Sequence, residues 1–163
     1  MPMRRLCLIL LAGLVAVPAA VAAVRATNDG VLELRDVNAL SVVINGSRGS
    51  LWGQMDSGRL IVTDPTLGDG QIYVTGAERQ HPVNDNVTVY WGKDIHFRVT
   101  GGKYRLSFKG SGIDLTAVGV GTATLFGDLD AFDPGRYGVD GKWLSVPYVQ
   151  KTVSFGTPTA VTP

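Results

Sequence analysis

From Val31 onward the apolar residues of this chain fall on every second position, in short runs broken by glycine. In "DIHFRVTGGKYRLSFKG", residues 94–110, Ile95, Phe97 and Val99 alternate with His96, Arg98 and Thr100. Beyond Gly101-Gly102, Tyr104, Leu106 and Phe108 alternate with Lys103, Arg105, Ser107 and Lys109. A period of two sends successive side chains to opposite faces, the mark of a strand with one face buried and one wet. No window downstream of residue 23 places apolar residues at helical spacing for three turns. Twelve Asp stand against two Glu, Glu33 and Glu78, a bias toward turns and away from helices. The chain therefore reads as all-β, a single domain of short glycine-punctuated strands in an antiparallel sandwich or open barrel.

Strands are expected at 31–36, 40–45, 50–55, 59–64, 71–76, 87–91, 94–100, 103–109, 112–118, 122–126, 142–146 and 151–155. The breaks carry turn residues: "NGS" at Asn45, "DSG" at Asp56, "PTLGDG" at Pro65, "GSG" at Gly110 and "DPG" at Asp133. Residues 77–86, "AERQHPVNDN", lack strand character and read as an exposed loop. With Gly101-Gly102 as a two-residue turn, Val99 faces Tyr104, Phe97 faces Leu106 and Ile95 faces Phe108, so every apolar residue meets an apolar partner. The alternative is a short β-solenoid, because Gly49, Gly58 and Gly70, then Gly102, Gly112 and Gly121, recur at roughly ten-residue steps. Antiparallel neighbours belong to the first reading and parallel stacking to the second.

Residues 1–22 have the layout of a secretory signal peptide: Arg4 and Arg5, a short apolar run, then Ala20-Val21-Ala22 before a cut at Ala23. The apolar run falls short of the ~20 residues that span a bilayer, so no stable membrane span is expected after cleavage. Cys7 is the only cysteine and would leave with the leader, so no disulfide is expected in a domain over 23–156, with a flexible tail at 157–163. Loss of Arg4 and Arg5 leaves thirteen Lys and Arg against fourteen Asp and Glu, moving formal charge from +1 to −1. That balance supplies no net positive charge for nucleic acid as a partner.

The block from Gly92 to Gly127, "GKDIHFRVTGGKYRLSFKGSGIDLTAVGVGTATLFG", together with "LELRDVN" at Leu32, resembles a group of secreted bacterial proteins of unknown function. The resemblance rests on glycines and alternation. It implies export and an all-β domain, and it carries no functional residues.

In the hairpin register, Arg98 faces Arg105, His96 faces Ser107 and Asp94 faces Lys109, and a turn at 109–112 brings Asp114 beside Ser107. Paired guanidinium forks suit carboxylate or phosphate, whereas the plainer reading of this face is a charged, solvated side of the sheet. Trp91, Trp143 and Trp52 lie at or near strand ends. They are expected to fill or cap the core, and the alternative is that exposed rings stack on sugars. Asp128, Asp130 and Asp133, with Asp140 nearby, form a weak calcium candidate, but Phe132 stands at the third ligand position and no Glu closes an EF-hand loop. His81 and His96 lack metal-ligand spacing, and no Gly-x-Ser-x-Gly elbow is present, so no metal, cofactor or catalytic set is assigned. The expectation is an exported non-catalytic β-domain with a structural or binding role in the cell envelope or extracellular space, with an envelope glycan or protein as partner. The alternatives are a carbohydrate- or anion-binding module using Arg98, Arg105, His96, Trp91 and Trp143, and a secreted hydrolase with dispersed carboxylates.

Overall fold

The computed structural model describes residues 28–157; the expected leader with Cys7, and the tail beyond residue 157, lie outside the described residues. Every described pairing is antiparallel, which decides against the solenoid. The strands are β1 (Gly30–Thr63), β2 (Gly70–Thr75), β3 (Arg79–Asn84), β4 (Val87–Gly101), β5 (Tyr104–Gly127), β6 (Arg136–Val139), β7 (Lys142–Ser145) and β8 (Lys151–Phe155). They form one open sheet with the central order β2-β4-β1-β5-β8, while β3 adds to β4, β6 to β1, and β7 to β6.

Most of the expected short strands are pieces of three long ones. The 34 residues of β1 absorb the first four and the 24 of β5 absorb three more. The glycine and aspartate breaks between those pieces are bends. Along one crease the ladders skip Asp36, Asp56, Asp94 and Gly112, which lie beside one another on neighbouring strands. Asp36 (φ 49°), Asp94 (φ 55°) and Gly112 (φ 60°) all adopt the left-handed region there, a conformation that Asp and Gly tolerate better than other residues. The Asp36 N–H donates to Asp114 Oδ1 (2.9 Å) and the Ser57 and Ser111 hydroxyls bond across the fold (2.9 Å). Strands that turn such a corner let one sheet fold over on itself.

The result is a two-layer sandwich made from a single sheet. The first half contains residues 30–37, 49–55, 70–75, 95–101, 113–119, 136–139 and 142–145; the second contains 39–46, 58–63, 79–84, 87–92, 104–110, 121–127 and 151–155. The fold is tight enough that Val42 in β1 has β5 on both sides, opposite Phe108 on one edge and Leu125 on the other. Between the halves lies one apolar core, including Leu34, Ile44, Leu60, Ile95, Leu106, Ile113 and Tyr137.

Gly101 and Gly102 do take positive φ (75° and 71°), yet they make no hairpin. β4 and β5 are not neighbours: β1 lies between them, and Phe97 pairs with Gly53 and Val74 while Leu106 pairs with Ile44 and Val62. The two glycines form an arch that carries the chain from one half to the other, pinned where the Lys103 N–H donates to Asp69 Oδ2 (3.0 Å). Phe97 and Phe108 then meet across the core with ring centroids 4.9 Å apart and planes tilted by 51°. Alternation assigned the correct residues to the inside; it could not say whether they pair along a sheet or stack between two.

Two-residue hairpin connections do occur, at Asp85-Asn86 and at Asp140-Gly141, where Val139 faces Lys142 and both turn residues have positive φ (48° and 81°). The first of these corrects the loop expected at 77–86. Its first strand, β3, shows no alternation because all six of its residues are exposed, and as an edge strand bonded only to β4 it accommodates Pro82. The second defines β6, which the acid-rich segment had concealed. Residues 109–112 are likewise a bend inside β5, so Asp114 does not come beside Ser107.

Candidate functional site

The outer face of the first half carries a row that can be followed across seven strand segments. Tyr73 lies opposite Arg98, Arg98 opposite Trp52, Trp52 opposite Thr116, Thr116 opposite Glu33, Glu33 opposite Gly138, and Gly138 opposite Trp143. The next row out brings Thr75, His96, Gln54 and Asp114 into line. Together these rows enclose an open groove of about 690 Å³, bordered by Trp52, Gln54, His96, Arg98, Asp114 and Thr116.

Trp52 and Trp143, expected in the core, are on this outer face, 41% and 38% exposed. The alternation explains this for Trp52: Leu51, Gly53 and Met55 take the inward positions of this segment, Leu51 and Met55 fully buried, which leaves Trp52 and Gln54 pointing out. Trp143 lies over Gly138, where a Cβ would come within 3.0 Å of the indole, and the Arg35 guanidinium stands 5.3 Å from the ring centroid. Arg35 also pairs with Glu33 (3.1 Å), and the His96 ring nitrogen contacts Asp94 Oδ1 (3.1 Å). Arg98, between two aromatic neighbours, belongs to no ion pair among the described residues.

The remaining candidates sit elsewhere. Arg105 is on the second half, opposite Thr63 and Asn45, so the structure does not join it to Arg98 as a two-arginine site. It borders a separate recess of about 510 Å³ with Lys103, Asn45, Thr63 and Thr122. Trp91, half-buried, is also on the second half, flanked by Arg59 and Arg79. Asp128 and Asp133 close local turns, Oδ1 of the first accepting from the Asp130 N–H (3.1 Å) and Oδ1 of the second from the Gly135 N–H (2.8 Å). Among the described residues no group of three or more His, Cys, Asp or Glu is arranged to hold a metal ion, and Asp128, Asp130 and Asp133 do not form one.

Nothing local in the sequence marks Tyr73, Gln54, Arg59 or Arg79. Each stands at an outward position of an alternating or exposed run, but an outward position becomes part of a site only through its neighbours across the ladder. Among the described residues no helix is long and apolar enough to cross a membrane. Fold and face together define a class: an open antiparallel sheet folded into a sandwich, with a ring-and-guanidinium groove on one outer face. No family model, curated protein or solved structure matches the chain.

Proposed function

We propose that this chain is an exported, non-catalytic β-domain that binds a neutral glycan in the cell envelope or outside the cell, across the outer face of its first half. The observation that carries the reading is the Tyr73–Arg98–Trp52 row, whose Arg98 and Trp52 border the groove and whose Tyr73 extends it on the next strand. Tyr73 and Trp52 are separated by two strand spacings, about 10 Å, so two rings stand on one flat surface with a polar group between them. Exposed aromatic faces supply apolar contact to sugar rings, and Gln54, Thr116 and Asp114 supply donors and acceptors for hydroxyls. The surface is close to neutral because Glu33 and Asp114 are interspersed with Arg35 and Arg98, which favours an uncharged ligand over an ionic one. Export is supported by the leader-like residues 1–22 and by the resemblance of residues 92–127 to secreted bacterial proteins.

Affinity electrophoresis or calorimetry against soluble neutral β-glucan and xylan tests the reading. Trp52→Ala and Tyr73→Ala should each weaken binding about tenfold, in line with truncation of a buried aromatic anchor. Failure of the wild-type chain to bind either polymer, or retention of full affinity by both variants, would remove it.

A further inference from the structure

Formal charge is nearly balanced over the chain, but the fold sorts it. The strand segments of the first half mix Glu33, Asp36 and Asp114 with Arg35, Arg98, Arg136 and Lys142. Those of the second half carry Arg59, Arg79, Arg105, Lys109 and Lys151 and not one Asp or Glu. Lys151 lies over the Tyr137 ring at 5.7 Å. The other four point to the outer face, all exposed, and among the described residues none of them is in an ion pair.

Their arrangement is specific. One row runs Arg79, Trp91, Arg59, Lys109 across four neighbouring strands, so Arg59 and Lys109 lie directly opposite one another. Like charges in that relation destabilise a sheet unless an anion lies between them. Four residues along β5 from Lys109, Arg105 opens onto the acid-free recess it shares with Lys103, about 13 Å away at the rise of an extended strand. Between these two cationic ends runs a half-exposed row of Val89, Ile61, Ser107, Val43 and Thr124, while Asn45 and Thr122 extend the Arg105 row on the neighbouring strands.

We propose that this second face binds an acidic polysaccharide, a chain of sugars bearing carboxylate or sulfate groups. Anionic groups would be held by the Arg79–Arg59–Lys109 row at one end and by Lys103 and Arg105 at the other, with Trp91 under a sugar ring, the aliphatic row of Ile61 and Val43 against the apolar faces of the sugars, and Ser107, Asn45 and Thr122 available to their hydroxyls. Guanidinium forks match carboxylate and sulfate oxygens in pairs. A single ring on the face suits occasional stacking on a sugar, whereas single-stranded nucleic acid is held by successive aromatic platforms. The site is independent of the groove on the opposite half, and the two faces together would let one domain bridge a neutral and an acidic polymer.

Binding of the full chain to polygalacturonate and to dextran sulfate, with neutral dextran and a single-stranded oligonucleotide alongside, tests the inference. Wild-type protein should bind both acidic polymers, more weakly as salt rises, whereas any binding of dextran through the groove should be insensitive to salt and unchanged in the variant described next. The triple variant R59Q/R79Q/K109Q, all exposed positions, should lose at least about tenfold in affinity with an unchanged circular dichroism spectrum. Trp52→Ala and Tyr73→Ala should leave this binding intact, which separates it from the groove. Equal affinity of the triple variant, or tighter binding to the oligonucleotide than to either polysaccharide, would overturn the proposal.

Discussion

Replacing Tyr104 by Phe should make the protein more stable. Tyr104 is 1% exposed, and the phenol end of its ring packs against Gly46, where a Cβ would come within 2.2 Å of Cζ. Its hydroxyl is buried and has no hydrogen-bond partner among the described residues. Burial also pushes the phenol well above the ordinary tyrosine range. A hydroxyl taken from water without a partner costs about 1–3 kcal/mol, and Phe fills the same ring site without that cost. The expected gain is therefore about 1–2 kcal/mol, or roughly 3–6 °C in Tm for a domain of this size. Urea unfolding at neutral pH should show a higher midpoint with an unchanged slope.

The pH dependence has a definite sign. The folded phenol holds its proton more tightly than the unfolded one, so this group's contribution to stability is complete below about pH 10 and declines as pH rises further. Tyr104→Phe removes that decline, and the gap between variant and wild type should widen in alkali by at most about 1.4 kcal/mol per pH unit. A variant destabilised by about 1 kcal/mol or more would refute the reasoning, since it would mean that the hydroxyl makes a bond worth more than its desolvation.

Gly46→Ala should destabilise by about 1–3 kcal/mol in the same unfolding assay, because the new methyl must displace the Tyr104 ring within a packed core. Asp69→Ala removes the acceptor for the Lys103 N–H and should cost about 1–2 kcal/mol, with hydrogen exchange increasing first around Gly101-Gly102. If that exchange stays unchanged, the arch is held by packing alone. The neutral-glycan test on Trp52 and Tyr73 and the acidic-polymer test on Arg59, Arg79 and Lys109 complete the set, and each can fail without the other.

Much of the inside was legible without coordinates. The alternation puts Ile95, Phe97, Val99, Tyr104, Leu106 and Phe108 on one buried side, and all six are buried. β3 was not legible, because an edge strand with no buried residue leaves no alternation to read. The groove is only partly legible: the sequence offers Arg98, His96 and Trp143 as binding candidates, but it gives Trp52 no more reason to face out than to pack inside, and Tyr73 carries no signal of its own. Arg98 and Arg105 come together only in a hairpin that does not form, because β1 lies between β4 and β5.

What the sequence determined alone is a two-valued property of each residue, in or out, because a period of two is local and the hydrophobic effect acts on each side chain where it stands. It also marked the bends, since Asp and Gly accept the left-handed backbone of a crease. Which strand lies beside which was decided only by the folded sheet. Inserting β1 between β4 and β5 makes Phe97 and Phe108 meet across the core, and a period-two pattern is equally satisfied by pairing in one sheet or packing between two layers. The sorting of charge follows from the same cause: Arg59, Arg79 and Lys109 are 20 to 50 residues apart in the chain and become one row only when β3, β4, β1 and β5 are laid side by side.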